Sequence, residues 1–94
     1  MPPLVILSKA AAAKLAALPE IERSAALAAL EDLPRKFGQP HLHSGLGIRR
    51  LRSDVFEFRA SRTLRGLFYR ETGRIYVDRF GGHDEIRDYL RNRR

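Results

Sequence analysis

Ninety-four residues make one domain with a modest core, and the absence of cysteine excludes disulfides, thiolate catalysis and cysteine-based zinc sites. The net charge of +7 favours a polyanionic or acidic partner (RNA, DNA, the ribosome or an acidic protein), the alternative being a solvated basic surface with no specific partner. The apolar run Leu4-Val5-Ile6-Leu7 is too short to span a bilayer or to serve as a signal-peptide core. The expectation is a soluble, cytoplasmic protein with no membrane partner.

In chain order, residues 4–7 read as a short strand. Ser8 follows as the N-cap of an alanine-rich helix over residues 9–18. Pro19 opens a second helix over 19–33, in which Leu27, Leu30 and Leu33 with Ala26 and Ala29 make an apolar stripe at helical spacing. The two helices form a hairpin, and Pro34 is expected to end it, because the residue before a proline disfavours helical angles. Residues 34–47, with two prolines and three glycines, read as a loop. Its His41 and His43 alternate, but with no carboxylate or cysteine beside them they read as non-ligands. No metal and no other cofactor is expected.

The period then changes to two. Phe56, Phe58 and Ala60 share one face of a strand, and Glu57 and Arg59 the other. Residues 64–70 form the next strand, Glu71-Thr72-Gly73 the turn, and 74–80 its hairpin partner, with Ile75, Val77 and Arg79 on one face and Tyr76 and Asp78 on the other. Gly81-Gly82 breaks that strand, and Asp84 caps a last helix over 84–92. Strand, helix hairpin, antiparallel meander and helix describe a single α+β domain over residues 1–94, the helices on one sheet face and the other face open. From Ile48 onward the chain has 13 arginines, no lysine and 7 acidic residues, whereas the first 47 residues carry 5 basic and 4 acidic side chains. The charge excess therefore belongs to the sheet. Guanidinium groups grip phosphate through paired hydrogen bonds, so that face reads as a surface for a phosphodiester.

The segments Leu51-Arg52-Ser53-Asp54-Val55-Phe56-Glu57-Phe58-Arg59, Leu64-Arg65-Gly66-Leu67-Phe68-Tyr69-Arg70, Gly73-Arg74-Ile75-Tyr76-Val77 and Gly82-His83-Asp84-Glu85-Ile86, in that order, resemble the RelE/ParE toxin superfamily. Val5-Ile6-Leu7-Ser8-Lys9 and the helix hairpin fit its first strand and helices, so the resemblance spans nearly the whole chain. It implies an N-terminal strand and helix hairpin packed on a small antiparallel sheet, with a short C-terminal helix. It also implies the toxin of a bacterial toxin–antitoxin pair, bound by a cognate antitoxin as a hetero-oligomer. RelE-type members cleave mRNA on the ribosome without metal, and ParE-type members inhibit DNA gyrase. The basic sheet and terminal histidine look more like the RelE side; a non-catalytic nucleic-acid-binding module is a third alternative.

Metal-free cleavage needs a group to take the 2′-hydroxyl proton, a group to protonate the leaving 5′-oxygen, and cations for the developing charge. His83 suits acid or base work because imidazole titrates near physiological pH; the alternative is that it caps the last helix or meets a backbone carbonyl. By the resemblance, Arg65 is the first choice for a phosphate clamp. Arg59, on the adjacent strand, is the second, a cross-strand ion pair being the alternative for each. Arg49, Arg50 and Arg52, with Arg79 on the last strand, are candidates for RNA backbone contacts. Glu57 is either a general base or a structural partner. Many RelE-like sequences place a base-stacking tyrosine four or five residues after the terminal histidine. Arg87 and Asp88 stand there, and Tyr89 follows, so a helical side chain is turned by roughly 100–200° from the family's position.

Overall fold

Ser8 links the first strand to the first helix. β1 (Leu4–Leu7) ends there, and the Ser8 Oγ accepts a hydrogen bond from the Ala11 amide at 2.9 Å, capping α1 (Lys9–Ala17). The same hydroxyl donates to the Asp78 carbonyl, tying the cap to a distant strand. Pro19 starts α2 (Glu20–Lys36), with Glu20 and Glu22 in its first turn, where carboxylates meet the positive end of the helix dipole. β2 (Arg49–Arg52), β3 (Val55–Arg59), β4 (Arg65–Glu71), β5 (Arg74–Gly81) and α3 (His83–Asn92) complete the chain. This computed structural model describes residues 3–37 and 46–92; His41 and His43 lie outside them.

Pro34 does not end α2. A proline in the last turn removes only one backbone hydrogen bond. The turn is held from both sides: Leu33 is fully buried, and the Phe37 amide reaches the Leu33 carbonyl at 2.9 Å. The Phe37 ring meets Phe56 and Phe68 edge-on at 5.0 and 5.3 Å.

The strands form one sheet in the order β1-β5-β4-β3-β2. β2 to β5 run antiparallel, and β1 joins parallel to β5, with Leu4 beside Arg74. The β4–β5 connection is the two residues Thr72 and Gly73, and Gly73, at its second position, takes a φ of 72° that glycine adopts without steric cost. Phe58, Phe68, Ile75, Val77 and Phe80 face α1 and α2 and pack with Ala11, Leu15, Ala26, Ala29 and Leu33. Burial of each phenylalanine contributes roughly 2–3 kcal/mol. Gly66 lies flat against one of these rings: a Cβ there would sit 2.2 Å from Phe58 Cε1.

Two expectations about faces fail. The alternation along β5 breaks at Asp78: Phe68 pairs with Val77 but Leu67 pairs with Arg79, leaving Asp78 as an extra residue. A bulge of this kind shifts the strand's phase. Arg79 therefore leaves the Ile75 and Val77 face, and Phe80 takes the core position instead. The second sheet face is also not open. Leu67 and Ile86 are buried outside the main core, and α3 lies over that face, with its Tyr89 hydroxyl bonded to Asp78.

Candidate nucleic-acid interface

The site begins where β5 gives way to α3. The Gly82 carbonyl accepts from the Ile86 amide at 3.0 Å, and the Gly82 amide donates to Glu85 Oε1 at 3.0 Å. Glu85, not Asp84, thus closes the helix start, reaching back as the third residue of a capping box does. This sets His83 as the first residue of α3, with an exposed side chain. One turn on, Arg87 Nη2 lies 3.1 Å from His83 Nε2. A guanidinium only donates, so in this contact Nε2 accepts and its lone pair is held by the arginine. Arg91 continues the same stripe another turn on.

Opposite this stripe, β3 presents Glu57, which is buried although charged. Its Oε1 accepts from Arg49 Nη2 at 2.9 Å and Arg65 Nη1 at 3.3 Å. Two cations on one carboxylate oxygen offset the cost of burying it. Between α3 and these strands runs a cleft of about 370 Å³, lined by Arg49, Arg52, Glu57, His83, Arg87 and Arg91 with Leu51, Ile86 and Leu90. Arg52 Nη2 also donates to the Leu90 carbonyl at 2.8 Å, near the carbonyl-rich end of α3.

The structure brings together some of the expected residues and separates others. His83, Arg49 and Arg52 share the cleft. Arg65 stands one carboxylate behind it, joined through Glu57. Arg59 is directly opposite Arg65 in register but exposed, and it passes over Gly47, where a Cβ would lie 3.7 Å from its own. Arg50 is on the wrong face. It pairs with Phe56, donates to the Ser53 carbonyl at 3.0 Å and stands 5.8 Å from the Phe56 ring. Arg79 is in one row with Arg49, Glu57 and Leu67, but beyond Leu67 and outside the cleft. Its guanidinium lies 4.1 Å from the centre of the Tyr89 ring. Tyr89 does not line the cleft; its hydroxyl donates to Asp78 Oδ2 at 2.7 Å. Arg87 and Arg91 were not among the expected residues, although His83, Arg87 and Arg91 recur every four residues, the spacing of one helix face.

Comparison with solved structures gives the architecture a precedent. A chain of the archaeal RelE–RelB complex from Pyrococcus horikoshii superposes with a TM-score of 0.72 at 16% identity, over 87% of this chain and 96% of that one. The fold is RelE-like. The RelB–RelE antitoxin–toxin complex from Methanococcus jannaschii matches this RelE-like fold with a TM-score of 0.68 at 16% identity, covering 90% of this chain and 98% of that one. The toxin–antitoxin complex RelBE2 from Mycobacterium tuberculosis gives 0.68 at 21% identity, covering 88% and 100%. No protein-family model and no curated protein matches the sequence. No helix among the described residues is long and apolar enough to cross a membrane.

Proposed function

We propose that this chain is the toxin of a toxin–antitoxin pair and acts as a metal-independent endoribonuclease on mRNA at the ribosome. The observation that carries the reading is the arginine-lined cleft holding His83 on one wall and Glu57 on the other. The solved complexes that share the fold pair RelE with RelB, which supports a cognate antitoxin as partner in a hetero-oligomer.

In this reading the phosphodiester lies between Arg49 and Arg87. As Arg87 turns to the phosphate it releases His83 Nε2, which takes the proton from the ribose O2′, and O2′ attacks phosphorus. The P–O5′ bond breaks, and the imidazolium returns the proton to O5′. The products are a 2′,3′-cyclic phosphate and a 5′-hydroxyl. Arg49 and Arg87 stabilise the charge that builds on the phosphoryl oxygens. Glu57 holds Arg49 and Arg65 in place, so Arg65 acts through the carboxylate and not as a direct clamp. Arg52 and Arg91 serve neighbouring phosphates, with exposed Arg59 at the margin.

One observation favours a different reading. Among the described residues no aromatic side chain lines the cleft, Tyr89 being engaged by Asp78, so none of them offers a ring there to stack on a base. A protein-directed inhibitor of DNA gyrase, or a binding module without catalysis, needs none. Inducible expression in a bacterium, wild type beside His83→Ala and Arg65→Ala, separates these readings. Growth arrest with new codon-phased mRNA 5′ ends, lost in His83→Ala, is the result expected of the nuclease. Arrest without new ends moves the target to gyrase or another protein, and no arrest at matched expression leaves the binding module.

A further inference from the structure

Beyond Leu67 the second sheet face carries a group of side chains that the cleft does not use. Arg79 rests on the Tyr89 ring at 4.1 Å, and its Nε is buried with no hydrogen-bond partner. Tyr89 and Tyr69 both donate to Asp78 Oδ2, at 2.7 and 3.1 Å. Tyr69 in turn lies beside Tyr76, ring centres 6.2 Å apart and planes within 12°. Arg79, Tyr89, Tyr69 and Tyr76 are thus one continuous, braced surface. Ile6 extends it across the paired strand β1, and Leu4, next on that side of the strand, is 64% exposed.

A guanidinium fixed on an aromatic ring, with a buried N–H and no acceptor, has lost much of its hydration without gaining an anion. The acids nearby do not supply one. Asp78 is buried under two tyrosine hydroxyls, and Glu71 is the partner of Arg74. Tyr76 is half-buried, and its hydroxyl has no hydrogen-bond partner among the described residues. A cation set beside partly exposed rings on a sheet is the arrangement that holds single-stranded nucleic acid, phosphate on the arginine and base on the ring.

The geometry points to a second nucleotide subsite, in which Arg79 takes a phosphate and Tyr76 a base of the same single-stranded RNA whose scissile bond lies in the cleft. This rests on the nuclease reading for the identity of the RNA but not for the binding itself. α3 then stands between two contact regions of one ligand, the cleft on its Arg87 side and the tyrosine surface on its Tyr89 side.

The test uses 2′-O-methyl oligonucleotides, which lack the attacking hydroxyl and so report binding alone. One of about three nucleotides fits the cleft, and one of about eight reaches both regions. The chain has three tyrosines and no tryptophan, so tyrosine fluorescence follows occupancy directly. Tyr76→Ala and Arg79→Gln are expected to weaken the longer oligonucleotide roughly five- to a hundredfold and to leave the shorter one unchanged. Arg79→Gln should also reduce the slope of log affinity against log salt by about 0.7, and Arg79→Lys should restore it. Thermal melts check that each variant folds, and Tyr76→Ala decides if Arg79→Gln does not. Equal binding of the longer oligonucleotide by wild type and Tyr76→Ala, or an equal loss for both lengths, overturns the subsite. A wild type that binds the longer uncleavable strand but cuts no RNA would end the nuclease reading while the subsite stands.

Discussion

On the α1 and α2 side of the sheet, Phe58, Phe68, Ile75 and Val77 are fully buried, and the rings meet one another at 5.0–6.1 Å. On the other side, Glu57 and Asp78 are the buried side chains with charge, and each is held by two donors. The first side gains stability from area removed from water. The second is organised by directional bonds, whose net worth is small individually and whose loss strands a charge. The contrast shows how 94 residues divide the work: one face supplies most of the apolar burial, and the other, with Leu67 and Ile86 buried beneath α3, fixes arginines in place.

Substitutions sharpen the contrast. Phe58→Ala should cost about 4 kcal/mol in chemical denaturation, and a loss under about 1 kcal/mol would mean that this face is not the main source of stability. Gly66→Ala should cost about 3 kcal/mol, because the new methyl meets the Phe58 ring. Pairing it with Phe58→Leu should recover part of that, and strict additivity in the double mutant would break the contact argument. On the polar face, Glu57→Ala should cost about 2 kcal/mol by freeing Arg49 and Arg65 from their shared carboxylate. Tyr89→Phe should cost about 1 kcal/mol, the net worth of one hydrogen bond. His83→Ala should leave the melting curve within about 0.5 kcal/mol of wild type yet reduce RNA cleavage roughly 100- to 10,000-fold, measured as single-turnover rates on a ribosome-bound message.

The apolar face was legible in the sequence because its signal is repetitive. Phe56 and Phe58 alternate with Glu57 and Arg59, and Ala26, Ala29 and Leu33 recur at helical spacing. The rest depends on events that leave no periodic trace. The extra residue at Asp78 reverses the side on which Arg79 emerges, and nothing in Tyr-Val-Asp-Arg-Phe marks a bulge. The pattern of α3 shows that it is amphipathic but not which sheet face receives it, so the open arginine face of the sequence reading became a cleft between helix and sheet. Pro34 misled because proline rules describe helix interiors, whereas here the following Phe37 pins the last turn. The stripe of His83, Arg87 and Arg91 was readable and would have placed two more arginines beside the histidine. Of the residues singled out in the sequence, His83, Arg49 and Arg52 line the cleft, Arg50, Arg59 and Arg79 stand outside it, and the ion pairs of Glu57 with Arg49 and Arg65 leave no trace in the sequence.

The parallel pairing of β1 with β5 also has a consequence for biosynthesis. Leu4 finds Arg74 as its neighbour, so the first strand must wait until β5 has been made before it has an edge to join. At about 5–20 residues per second, the intervening stretch takes roughly 4–14 s to synthesise. During that interval Leu4, Val5, Ile6 and Leu7 lack their native partner, and the Ser8 cap lacks its anchor on Asp78. Nascent chains arrested before residue 74 should therefore be digested readily by protease, and full-length released chains should resist. The arginine surface is correspondingly assembled only once β5 and α3 have been made.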